Sequence, residues 1–296
     1  VRKKVRWRAV HAAAERSDVS VGRLCDVAGM SRQNYYQQRR IRQRQHVDEQ
    51  LVLELVRRER WRQPNLGGRK LLHLIGPELA DANVAIGRDR FFELLKAHDL
   101  LIEKRRRTVR TTDSRHGFAV YANRAKDLVL TGPHQLWVSD ITYVRTETGF
   151  VYLALVMDAF SRTIVGYACS DSLEAIGASR ALEMAIRQLP PGARPMHHSD
   201  RGIQYCCTDY IQRLTDAKLT ISMTEDNHCY ENSQAERLNG TLKHELGLSA
   251  TFGNAHAART MADEAVMIYN HHRPHQALSY ATPMQVHGAK AGRAVA

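Results

Sequence analysis

Three acidic residues, Asp140, Asp200 and Glu236, stand on separate expected elements, where their carboxylates could do chemistry together. Asp140 lies inside Trp137-Val138-Ser139-Asp140-Ile141-Thr142-Tyr143, a strand-forming run in which a carboxylate is disfavoured. Asp200 follows His197-His198-Ser199, just after a short expected strand, at the C-terminal edge where open α/β sheets place their sites. Glu236 belongs to a run expected to be helical from Asn232 to Leu246. Singly, each has a plain explanation: a strand-edge salt bridge, an Asx-turn, a solvent-facing helix residue. Three carboxylates on separate elements could instead converge, and a set of oxygen ligands suits hard divalent cations. Without such a cation the acids would repel one another, and at least one would have a raised pKa. Lys243 stands two helical turns beyond Glu236 on the same face, with Gly240 between them.

Other candidate ligands form no site. His197, His198, His271, His272 and His275 match no standard zinc spacing. The five cysteines, Cys25, Cys169, Cys206, Cys207 and Cys229, are odd in number and lack Cys-x-x-Cys spacing, which argues against a disulfide framework or zinc knuckle.

The acids need elements to hold them. Leu136–Val144, Val151–Met157 and Thr163–Cys169 are strand-like runs joined by short turns and predict an antiparallel meander. Helices are expected over Ser172–Gln188 and Thr208–Ala217, and strands over Arg194–His198 and Leu219–Met223. Three strands followed by alternating helices and strands describe a mixed α/β sheet.

Upstream of Pro133 the pattern is helical. Val21, Leu24, Cys25 and Ala28 mark one face of a short helix, Gly29 breaks it, and Ser31 is placed to cap a second helix carrying Gln33 and Asn34. Helix, glycine turn, helix fits either a helix-turn-helix or a plain helical hairpin. A further helix is expected over 47–62, then a second pair over Arg69–Leu79 and Asp89–Leu100. Glu103–Arg115, with Arg105, Arg106 and Arg107, is too charged to pack in a core and reads as a linker that also touches a polyanion. Residues 1–112 hold 26 Lys/Arg against 13 Asp/Glu, whereas 113–296 hold 17 against 18, so all of the net +12 arises in the front part. A basic front attached to a neutral back suits a protein that grips phosphates with one part and holds acids with the other. The longest apolar stretch, Phe150–Met157, is too short to span a bilayer, and no signal-peptide pattern opens the chain, so a cytoplasmic location is expected.

The flanking sequences resemble the DDE transposases and retroviral integrases, most closely the transposases of the insertion sequence 3 family. The resemblance rests on Trp-x-x-Asp-Ile-Thr-Tyr around Asp140, His198-Ser199-Asp200-Arg201-Gly202-x-Gln204-Tyr205, and the 35 residues between Asp200 and Glu236. Lys243, Tyr269-Asn270-His271-His272-Arg273-Pro274-His275-Gln276-Ala277-Leu278 and Thr282-Pro283 extend it. Residues Thr224–Tyr230 depart from it, because relatives often carry a more basic stretch there.

The resemblance implies a ribonuclease H-like fold with a mixed five-stranded sheet and flanking helices, preceded by small helical units of helix-turn-helix type. It implies Asp140, Asp200 and Glu236 as catalytic metal ligands for two Mg²⁺ ions, with Mn²⁺ able to substitute. Asp140 would bridge both ions, Asp200 bind one and Glu236 the other. Lys243, Arg237 and Asn232 would contact DNA, as would Gln33, Asn34 and Arg105–Arg107, while His198 would support Asp200. The expected organisation is a basic helix-turn-helix-like unit (1–46), a second helical DNA-binding unit (47–103), a basic linker (104–130) and a catalytic domain with a C-terminal helix (131–296). The implied activity is metal-dependent cleavage at insertion-sequence ends and 3′-hydroxyl strand transfer, without a covalent protein intermediate, so Ser199 and Tyr205 are not nucleophiles. Partners would be terminal repeats, target DNA, further copies of the chain and an upstream-frame product or fusion. Two rival readings are a non-catalytic DNA-binding protein and a nuclease that cuts without joining.

Overall fold

A computed structural model describes residues 2–16, 18–102, 118–126, 128–225 and 233–289, with side chains from Trp7 onward. The chain divides into two compact units, one of residues 1–58 and 75–100, the other of 59–74 and 101–296.

The first unit contains α1 (Arg2–Arg16), α2 (Val21–Val27) and most of α3 (Arg32–Arg62). Ser20 caps α2 by accepting the Arg23 N–H, and Ser31 accepts the Asn34 N–H at the start of α3, as its position led one to expect. Gly29 has φ +60°, the left-handed conformation that ends α2 and that glycine adopts without steric cost. Trp7, Val10, Cys25 and Tyr35 form the small core, and the Trp7 indole donates to the Tyr35 carbonyl at 3.2 Å. The boundary expected at 46/47 falls inside α3, which runs unbroken for 31 residues. Its middle, Arg39-Arg40-Ile41-Arg42-Gln43-Arg44-Gln45, consists of good helix formers and contains no glycine or proline to stop it. Later in the chain come α4 (Gly68–Asp81) and α5 (Arg88–Ala97), near their expected spans.

In the second unit β1 (Leu136–Thr146), β2 (Gly149–Asp158) and β3 (Ile164–Ser170) form the antiparallel meander. Next come α6 (Ala175–Arg187), β4 (Met196–Ser199), the single turn α7 (Ile203–Cys206), α8 (Thr208–Asp216) and β5 (Thr220–Met223). The sheet order is β3-β2-β1-β4-β5, with β4 parallel to β1 and β5 parallel to β4. This is the ribonuclease H-like arrangement. Beyond the five expected strands there is a sixth, β6 (Thr251–Phe252), parallel to the far end of β1. Two residues are too few for an alternation pattern to reveal a strand.

Alternation along the strands sends side chains to two cores. Leu136, Val138 and Val144 of β1 join Leu153 and Leu155 of β2 under α9 (Ser233–His244) and α10 (Ala255–His271). On the opposite face Trp137, Ala154, Val156 and Val165 pack with Leu182 of α6 and Tyr210 and Leu214 of α8. Each large apolar side chain so buried contributes roughly 1.5–3 kcal/mol. At Gly166 a side chain is impossible, because a Cβ there would lie 2.1 Å from the Ala181 carbonyl of α6.

The Tyr269–Leu278 motif is structural in its visible contacts. The Asn270 amide accepts from the Ile164 N–H and donates to the Ile164 carbonyl, both at 2.9 Å, so a side chain completes the start of β3. Arg273, 7% exposed, grips both carboxylate oxygens of Glu245, and Lys70 binds the same carboxylate at 2.9 Å. Burial pushes the Glu245 pKa up, but the bonds and charges of Arg273 and then Lys70 outweigh it and hold the carboxyl below its ordinary range. The chain ends its described course in α11 (Pro283–Gly288), whose N-terminus is a capping box between Thr282 and Gln285. Among the described residues Cys25, Cys169, Cys206 and Cys207 are free thiols, and no helix is long and apolar enough to cross a membrane.

Candidate active site

The parallel pairing of β1 with β4 sets the site. Its last register pair is Val138 with His198; Asp140 lies two residues further along β1, and Asp200, two residues beyond His198, follows the end of β4. Both carboxylates act on one group between the sheet and α7: burial first, then the charges of Asp140, Tyr210 and Asp200, keep the Tyr205 phenol protonated far above its ordinary pKa. A buried neutral phenol is no nucleophile, and Ser199 is fully buried.

Each acid is oriented locally. One Asp140 oxygen accepts the Ile141 N–H at 2.8 Å, and the other accepts from the Asn239 amide at 2.6 Å. Asp200 accepts the Gly202 N–H at 3.0 Å, an Asx-type turn that aims the carboxylate off the end of β4. The Arg201 guanidinium, donating to the Thr224 carbonyl, ties this turn to the end of β5. A Cβ on Gly202 would sit 3.0 Å from the Asp200 oxygen, so Gly202→Ala is expected to displace that carboxylate while leaving the fold intact. If Asp200 holds a metal ion, displacing it is expected to cost about 10–100-fold in activity, which DNA-cleavage rates would measure against unchanged circular dichroism.

Glu236 is exposed in the first turn of α9, which follows residues 226–232, outside the described set. It stands one turn before Asn239 on the same helical face, and Lys243 lies one turn after, with its ammonium 3.9 Å from the centre of the Tyr143 ring. The face Glu236-Asn239-Lys243 therefore addresses β1 at Asp140 and Tyr143. Among the described residues no three His, Cys, Asp or Glu side chains stand in a ready-made metal-holding group. Asp140 and Asp200 both act on Tyr205, and among the described residues the three acids do not form such a group.

The histidines here are scaffold. The His197 ring is buried within 2.8 Å of both Ser139 Oγ and Tyr210 OH, and burial, then His198, pushes its pKa down to about 3. His198 shares a 2.9 Å hydrogen bond with Ser222 and so pins β4 to β5; its visible partner is thus the neighbouring strand. His275 is likewise driven to about 3, by burial and then by Arg273 and Lys70. Below pH 6.5 the unfolded chain takes a proton on each ring that the folded chain refuses until about pH 3, so stability falls with acidification. The slope is up to about 1.4 kcal/mol per pH unit for each histidine. Urea midpoints should drop between pH 7 and pH 5, and an unchanged midpoint would contradict the assignment of both rings as buried and neutral.

Of the other expected contact residues, Gln33 and Asn34 are exposed in the first turn of α3 and Arg237 is exposed on α9. Asn232 and Arg105, Arg106 and Arg107 lie outside the described residues.

With the site in place, comparison with known proteins is decisive. Integrase core domain families match residues 131–229 and 217–283. The chain is 36% identical to an uncharacterized 31 kDa protein of insertion element IS600 from Shigella sonnei, over 88% of this chain and 96% of that protein. It is 30% identical to the transposase for insertion sequence element IS629 from Shigella sonnei, over 93% of each. This chain belongs to the insertion sequence 3 family of transposases. Transposase InsF of insertion sequence IS3A from Escherichia coli strain K12 is 31% identical over 77% of this chain and 79% of that one. The role of this transposase is in DNA transposition, with an integrase-like core spanning all three acids.

Asn239, whose amide bonds Asp140, was given no part in the sequence reading, and Gly202 stood there only within the motif around Asp200. A signal existed for Asn239, three residues after Glu236 and four before Lys243, on the face already singled out.

Proposed function

We propose that this transposase cuts the ends of its element and joins the freed 3′-hydroxyl to target DNA, with Asp140, Asp200 and Glu236 holding two divalent ions. The observation that supports the reading is the parallel pairing of β1 with β4 up to Val138 and His198, each two residues before one of the aspartates, together with the bond from Asn239 of the Glu236 helix to Asp140. The donor set fits Mg²⁺ or Mn²⁺: every ligand is a carboxylate oxygen, the chemistry that hard divalent cations prefer. When bound, paired ions lower the pKa of the attacking oxygen and neutralise charge on the phosphate.

The protein's own groups do the rest. Asn239 and the Ile141 N–H hold the Asp140 carboxylate in one orientation, and the Gly202 N–H does the same for Asp200. Preorganised ligands need no rearrangement at the moment of reaction. Lys243, one turn beyond Asn239, binds a backbone phosphate near the cut. The basic helical front, with Gln33 and Asn34 on the first turn of α3, holds the element end, and pairing two ends calls for more than one copy of the chain.

The test is incubation of the full chain with labelled terminal DNA and Mg²⁺ or Mn²⁺. Nicked and joined products support the proposal. Nicked products alone mark a nuclease, and binding without either product marks a non-catalytic DNA-binding protein.

A further inference from the structure

The β1–β2 hairpin carries an aromatic surface that the fold does not use. Tyr143 pairs with Tyr152 and Arg145 with Phe150, so these four side chains share one face of the hairpin. The same face is covered at Ile141 and Ala154, which pack into the core with α6 and α8. Cover stops there: Tyr143 is 49% exposed and Phe150 43% exposed. The two rings meet edge to face at 5.4 Å and 82°, a geometry that locks both without burying them. Lys243 stands 3.9 Å over Tyr143, and the Arg145 guanidinium stands 5.7 Å over Phe150.

Two half-exposed rings flanked by two cations form a surface whose charge and shape both suit nucleic acid. An aromatic face stacks any base, and neighbouring cations take the phosphates. Tyr143 lies three residues beyond Asp140, about 10 Å along the strand; the odd spacing turns the two side chains to opposite faces of β1, and α9 joins them, with Asn239 bonded to Asp140 and Lys243 over Tyr143. Bases inside an intact duplex offer no open face for such stacking. We propose that the Tyr143 ring, held edge to face by Phe150, stacks an unpaired nucleobase a few nucleotides from the scissile phosphate, with Lys243 and Arg145 turning from the ring faces to the flanking phosphates. The proposal deepens the reading of the active site and rests on it for the position of the scissile phosphate. Stacking itself requires no metal, and the test is run without any.

The probe is a single-stranded oligothymidine of about 12 nucleotides with one central 2-aminopurine, titrated with the full chain in EDTA. Wild type and Tyr143→Phe are expected to quench the 2-aminopurine. Tyr143→Leu, which keeps apolar bulk, and the double variant Tyr143→Ala/Phe150→Ala lose the quench and bind the probe about tenfold more weakly, as expected for one lost stack. Affinity for duplex DNA of random sequence and its salt dependence stay as in wild type. Full quenching by Tyr143→Leu, or equal losses on single-stranded and duplex DNA, would overturn the platform. So would a change from oligomer to monomer in sedimentation without loss of quenching, which would assign the face to a second copy of the chain. Quenching in EDTA together with no cleavage in Mg²⁺ would retain the platform and remove the catalytic reading; cleavage with no quenching would do the reverse.

Discussion

Glu236→Gln is expected to lose at least about 10³-fold in strand transfer while binding terminal DNA like wild type. The substitution keeps size and helix propensity but removes one anionic oxygen ligand. The loss of several kcal/mol of charge stabilisation by bound metal corresponds to about three decades in rate. Asp140→Asn and Asp200→Asn should behave alike, and the double variant should be little worse than either single one, because groups that act as a unit are strongly non-additive. Gel-resolved product formation by the single and double variants measures this. A Glu236→Gln enzyme with wild-type product yield would remove Glu236 from the mechanism. The exposed position of Glu236 in the first turn of α9 makes the substitution structurally mild.

The largest expected effect on stability lies away from the chemistry. Among the described residues Glu245 binds both Arg273 and Lys70, and the exposures of Glu245, Arg273 and Lys70 are 27%, 7% and 14%. Glu245→Ala leaves two cations poorly solvated and close together, and removing one partner of a buried pair typically costs about 3–5 kcal/mol. For a unit of this size a 3 kcal/mol loss is about 6–12 °C in melting temperature. The pH dependence has a definite sign. Because the folded Glu245 carboxyl is held below its ordinary pKa of 4.5, its contribution is present above that value and lost as the pH falls through the folded one. The difference between wild type and Glu245→Gln should therefore be full at pH 7 and narrow below about pH 4.5. Thermal melts at both pH values check it, and a shift under 2 °C at pH 7 would show the cluster to be dispensable.

What was legible in the sequence followed from local pattern. The meander of β1, β2 and β3 was announced by β-branched and aromatic runs with short turns, and Asp140 stood out because its neighbours were so plainly strand-like. Asp200 was legible because the strand before it ends where a site can form. What stayed hidden was long-range or too short to pattern. Lys70 and Glu245 are separated by 175 residues, and nothing near either one names the other. The Asn239 amide needed the packing of α9 on β1 before its bond to Asp140 could be seen. The continuity of α3 was hidden because the helix after Ser31 and the helix over 47–62 were read as two elements, though the arginines and glutamines between them favour helix.

Diffraction from crystals of the full chain with terminal DNA and Mn²⁺, recorded at the manganese absorption edge, tests the shared metal site most directly. Two anomalous peaks about 3.5–4 Å apart are expected, with Asp140 touching both and Asp200 and Glu236 each touching one. Peaks remote from Asp140, or an occupied site with Glu236 still turned to solvent, would contradict the shared site.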